Sequence, residues 1–156
     1  MKKLELILIA GALVGLLLAL LNVPYHSVAV SLFLVALGTL YLYLGFALFN
    51  DIPFSKIFKS ESYRGIGPWR IAIAIGTGLG LSQLTVGFML AVGNYPMTRS
   101  FLSFGLVLTA LMLLLALIRN RKEKHQFYRN IALRCAIFII IGTVFLLVHV
   151  QQGQAT

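Results

Sequence analysis

Few side chains in this chain could do chemistry inside an apolar setting, and Gln83 is the most deeply placed of them. A carboxamide held away from water needs partners, so it either lines a solute path or bonds one helix to another. The second role is the expectation here. At about 100° per residue, Gly76, Gly80, Gln83, Gly87 and Asn94 fall on one narrow face of a helix over residues 69–94. A stripe of glycines with two amides reads as a contact face, because small residues let helix backbones approach.

The other reactive side chains are scattered. His26 and His149 fall at one depth near one membrane interface, but no third ligand accompanies them, and no cofactor is expected. Cys135 is the sole cysteine, which excludes an intrachain disulfide and a multi-cysteine metal site. Within its apolar run it reads as a small buried hydrophobe. No acid stands deep in an apolar run, which weighs against a proton- or ion-coupled machine. Arg134 lies only a few residues inside the last run, where its stem is expected to snorkel to the interface. No acid–histidine or Cys–His pair has a recognisable catalytic spacing, and no glycine loop of phosphate-binding type is present. The chain is not expected to be an enzyme.

The elements that position these residues follow from composition. The 156 residues are 60% hydrophobic and 11% charged, with a mean hydropathy of +0.95. Soluble domains carry roughly 25% charged residues, so the expected class is an all-α polytopic membrane protein. Spans need about 20 mostly apolar residues. Five stretches qualify, at about 4–21, 28–49, 69–92, 101–118 and 131–150. The first begins MKKLELIL, as a signal peptide would, but it lacks a convincing small-x-small cleavage site and is read as a retained helix.

Charge orients the set. The net charge of +9 is compatible with a nucleic-acid binder, but the basic residues sit in short segments between apolar runs, so no nucleic-acid partner is expected. An alternating five-span path puts twelve of the thirteen Lys and Arg on one side, leaving only Arg99 on the other. By the positive-inside bias the N-terminus is cytoplasmic and the C-terminus outside. The expected localisation is the bacterial inner membrane.

The chain also repeats itself. Offset by 72 residues, ten of 29 positions between Val14 and Leu42 are identical, among them Gly15, Asn22, Pro24 and Ser31 against Gly87, Asn94, Pro96 and Ser103. Two parallel-related hairpins (residues 1–50 and 69–119) and a fifth helix with its tail (131–156) are expected to form a single membrane domain. Gly11, Gly15 and Asn22 share a face of the first helix, matching Gln83, Gly87 and Asn94 in this register. Ser31, Gly38 and Gly45 recur every seven residues along the second, where its counterpart has Ser103, Ala110 and Leu117. Packing within the bundle explains most of these faces, and a surplus face for another membrane subunit or a second copy is the sharper reading. The Asn-x-Pro pairs close the two outer turns.

Two connections have character of their own. Residues 51–68 interleave Ile52, Phe54, Ile57 and Phe58 with Lys56 and Lys59, as an amphipathic segment on a membrane surface would, and Trp69 follows as an interfacial anchor. Residues 120–130 are expected to form a basic cytoplasmic loop. With its border it places Arg119, Arg121, Lys122, Lys124 and Arg129 against anionic lipid headgroups.

The turns at residues 20–25 and 92–97, with their flanking leucines, resemble the transmembrane hairpin of the membrane subunit of the gliding-motility and type 9 secretion motor. In that family two helices are joined by a tight turn with an aromatic residue or Pro, after a basic helical start. Its hairpins are associated with an intramembrane acid that this sequence lacks, so the motor function is not carried over. The resemblance implies a small bacterial hairpin-repeat membrane protein. The expected function is therefore a non-enzymatic scaffold or accessory subunit of a membrane assembly. The competing class is a small channel or uncoupled transporter, with a polar path around Gln83, Ser82 and Thr85, extended to Tyr41 and Tyr43.

Overall fold

The computed structural model describes residues 1–21 and 25–152, so Asn22 and Pro24 of the first turn lie outside the described residues. The described residues form five α-helices: α1 (Lys2–Leu20), α2 (His26–Phe49), α3 (Pro68–Val92), α4 (Thr98–Glu123) and α5 (Gln126–Gln152). No strand occurs among the described residues. Among the described residues, four helices are long and apolar enough to cross a membrane: His26–Phe49, Pro68–Val92, Thr98–Glu123 and Gln126–His149.

The ends of the helices follow from local chemistry. Pro68 opens α3 after an extended Gly67, which suits a ring that fixes φ and needs no amide partner in the first turn. At the far end of α3, Asn94 takes a left-handed conformation (φ 52°). The Tyr95 amide donates to the Leu90 carbonyl (2.9 Å) and the Asn94 amide to that of Ala91 (3.2 Å). This double bond closes the last turn in the Schellman manner. Asn94 is exposed and serves through its backbone, which separates it from the glycines on the α3 face. Asp51 ends α2 in the same way, at φ 58°, with the Ile52 amide donating to the Ala47 carbonyl (2.9 Å).

The segment expected as a basic loop is mostly helix. Helix α4 runs on to Glu123, and α5 starts at Gln126, leaving only Lys124 and His125 between them. Charged residues pose no obstacle to a helix that projects into water. Arg121 and Lys122 in the last turn of α4 also face the negative end of its dipole. Lys124 turns the chain at φ 44°. Residues 51–67 form two 3-10 turns, Phe54–Lys56 and Ser60–Tyr63. Ile52 is buried there, while Phe54 and Phe58 are exposed.

Each helix packs on its neighbour in sequence, and α3 and α2 also touch α5, which closes the bundle around α3. An aromatic column marks the core. From Phe49 it passes to Tyr41 (centroids 6.2 Å), Phe138 (5.7 Å), Phe88 (6.2 Å) and Phe145 (5.0 Å). Contacts also gather the basic segments at one end. Lys2 pairs with Asp51, Arg70 donates to Asn50 and stacks on Phe127, and Arg119 stacks on Trp69.

Candidate functional site

The glycine faces are occupied within the bundle. Gly76 meets Met112, Gly80 meets Thr109 and Gly87 meets Leu102, so this side of α3 is the α4 contact. Gly11 meets Phe33 and Gly15 meets Val30, which is the α1–α2 contact. Gly38 and Gly45 seat α2 on α3, against Thr85 and Gly78. The α4 counterparts Ser103, Ala110 and Leu117 are exposed.

Gln83 shares the α4-facing register but is only half-buried, and no hydrogen bond reaches its carboxamide among the described residues. At the matched position α1 has Gly11, against Phe33, whose own counterpart on α4 is Gly105. Bulk and space are thus exchanged between the two hairpins at this level. Gln83→Leu is expected to change stability by no more than about 0.6 kcal/mol, the mean worth of an interhelical polar bond. A denaturation series in micelles checks this. Ser82, Thr85 and Tyr41 are buried, whereas Tyr43 is 75% exposed on the outside of the bundle. The Thr85 hydroxyl donates to the Ser82 carbonyl of its own helix (2.8 Å).

The most developed polar site is one that the sequence expectations missed. Glu5, in the first turns of α1, is only 6% exposed. Arg134 of α5 grips its carboxylate with two bonds, Nε to Oε1 (2.9 Å) and Nη2 to Oε2 (2.7 Å). The Tyr41 hydroxyl of α2 donates to Oε1 (3.0 Å). Arg134 therefore does not reach out to the interface. It turns inward, lies over the Phe49 ring (5.6 Å) and ties three helices together. The forked guanidinium matches a carboxylate in two parallel bonds, which a lysine would not do. The spacing of Glu5 and Arg134, 129 residues apart, carries no local signal for this pairing. A single acid near a basic start was its only trace.

At the basic end a second cluster forms a platform. Arg119 lies over the Trp69 ring (4.1 Å) and pairs with Glu123, and the Tyr128 hydroxyl donates to the other Glu123 oxygen (2.9 Å). Arg70 donates to Asn50 (3.2 Å) and lies over Phe127 (4.9 Å). Arg121, Lys122, Lys124 and Arg129 surround this corner and are exposed. Trp69 is the sole tryptophan, so its fluorescence reports on the corner alone. Brominated phosphatidylglycerol is expected to quench it more than brominated phosphatidylethanolamine. Neutralising the four exposed cations to Gln should remove that preference, each cation contributing at most about 1 kcal/mol.

His125 accepts the Phe127 amide at Nδ1 (3.1 Å), which starts α5. Cys135 is fully buried in the core. Among the described residues no three His, Cys, Asp or Glu side chains gather as metal ligands would. Comparison of the chain with protein-family models, with curated proteins and with solved structures found no match.

Proposed function

We propose that this chain is a small multi-pass protein of the bacterial inner membrane, acting as a non-enzymatic scaffold or accessory subunit of a membrane assembly. The observation that carries the reading is the ordered cation–aromatic platform at the basic end. Stacked and paired, Trp69, Arg70, Arg119, Phe127 and Tyr128 give the exposed cations a fixed base, which suits docking of an acidic partner. The glycine faces are taken up internally, so the docking surface we propose is this platform rather than a helix face.

In this reading all five helices span the bilayer, with the platform and the N-terminus in the cytoplasm. Helix α1 has 19 residues, about 28 Å at 1.5 Å each, close to the roughly 30 Å hydrocarbon core. The gathering of basic segments at one end supports the orientation. Two features support a duplicated hairpin. Tyr25 and Met97, 72 residues apart, both precede a helix in the left-handed conformation, at φ 64° and 69°. Gly15 packs on Val30 as Gly87 packs on Leu102, again at the 72-residue offset.

Purification in mild detergent should yield a stoichiometric partner or a defined self-assembly, lost when Arg121, Lys122, Lys124 and Arg129 are changed to Gln. Recovery of the free protein alone would overturn the scaffold reading. A periplasm-active reporter fused after Thr156 should be active, and an inactive one refutes the five-span path.

A further inference from the structure

Phe58, in the connection between α2 and α3, is 98% exposed, more than any other large apolar residue described. Phe54 beside it is exposed as well. A ring left this open is unfavourable in water and marks a surface that something apolar covers.

The connection does not project away from the bundle. Tyr63 stacks on Phe46 of α2, with ring centroids 5.5 Å apart, and its hydroxyl donates to the Ile57 carbonyl. Phe46 stands three residues before Phe49, the last of α2, about 4.5 Å back along the helix. It also belongs to a defined strip. Val35, Thr39, Leu42 and Phe46 share one face of α2 by their spacing, and the first three are exposed. On a spanning helix such a strip meets lipid. The chain from Ile57 to Tyr63, with Phe58 in it, is therefore strapped back against the lipid-facing side of α2.

We propose that residues 53–63 form an interfacial wedge, with Phe54 and Phe58 inserted among the lipids of the leaflet at the basic end. The wedge requires only that α2 spans a bilayer, whichever face of it the basic end meets.

Continuity with the exposed strip of α2 names the occupant. Rings strapped beside that strip meet the lipid that the strip meets, and a protein partner would have to displace it. Depth fits too, since a position just inside the end of a span is the boundary between headgroups and acyl chains, where amphipathic segments lie. Backbone chemistry agrees. The Lys56 amide donates to the Pro53 carbonyl (2.9 Å), that of Lys59 to Lys56 (3.1 Å) and that of Ser62 to Lys59 (3.0 Å). These tight turns satisfy amides where water is scarce, and Pro53 has none to satisfy. Lys56 and Lys59 are exposed, and their long stems let the ammonium groups stay in water while the rings go down. The segment also carries an acid, Glu61, so the rings rather than net charge select the occupant.

Spin labels on the full chain in phosphatidylcholine vesicles test this. Cys135 is fully buried, so a nitroxide attaches only at an introduced thiol. Power saturation with oxygen and with a water-soluble nickel chelate reads its depth. A label on Phe58→Cys is expected about 5–10 Å inside the headgroup–acyl boundary. A label on Ser55→Cys should also be shielded from the chelate. Adding Phe54→Ser and Phe58→Ser to the Ser55→Cys variant should lift that label into water while the helical circular-dichroism signal holds. Both rings are exposed, so their loss leaves the core intact. A chelate-accessible label at position 58, or an unmoved one at position 55 after ring removal, would overturn the wedge. A label on Tyr43→Cys, on the outside of α2, tests the span separately. Water there refutes the spanning reading, whereas lipid there with water at position 58 refutes the wedge alone.

Discussion

Arg134→Ala is expected to lower the stability of the folded chain by roughly 3–5 kcal/mol, the cost of removing one partner from a buried ion pair. The magnitude follows from what is left behind. Without the guanidinium, Glu5 keeps a carboxylate that is 6% exposed and has only the Tyr41 hydroxyl for a partner. Glu5→Ala should cost a similar amount, because Arg134 then keeps its charge in an apolar setting. Tyr41→Phe removes one hydrogen bond to a charged group, and a smaller loss, about 1.5–3 kcal/mol, is expected. The double replacement Glu5→Leu with Arg134→Leu should recover most of what either single change loses, since an apolar pair leaves no charge behind. Denaturant titration of purified protein in micelles reads all four. Additive losses in the double variant would show that the two residues act separately.

Gly78→Ile is expected to have the next largest effect, about 3 kcal/mol or more, by prising α2 from α3. A Cβ at Gly78 would stand 2.6 Å from the Tyr41 carbonyl oxygen and 3.7 Å from the Cα of Gly45. The Tyr41 carbonyl is backbone, so no rotamer change can relieve that clash, and the helices must separate. Displacement of the α2 backbone at Tyr41 would also move its hydroxyl from Glu5, joining this seam to the ion pair. Gly67→Ala is the matched control. Nothing lies within 4 Å of a Cβ there, and a change within about 0.5 kcal/mol is expected. Equal losses for the two variants would exclude close approach as the cause.

How far these features could be read beforehand depends on how local their causes are. Helix positions follow from runs of apolar residues, and the observed elements keep within a few residues of the expected 28–49 and 69–92. The basic stretch is less legible, since its run of charge suggests a loop, although Arg119 and Glu123 at i and i+4 support a helix. Gly76, Gly80 and Gly87 announce a close contact by their spacing, but not which helix supplies Met112, Thr109 and Leu102. Gln83 stands out as an amide in an apolar run, yet its carboxamide has no hydrogen bond among the described residues and is only half-buried. Glu5 carries no such signal, because it stands beside Lys2 and Lys3 as a surface acid would. Its burial depends on Arg134 and Tyr41, and only tertiary structure brings those three together.

The span between Glu5 and Arg134 has a consequence for how the molecule is made. During synthesis the first helix emerges with its acid, and the arginine that neutralises it follows 129 residues later. At 5–20 residues per second that interval is roughly 6–26 s. Throughout it, the carboxylate must stay at the water boundary, take up a proton or borrow another cation, because an unpaired charge in hydrocarbon is costly. The first helix can pack on the second as soon as both are made, but the seating of its acid is deferred until translation reaches the last.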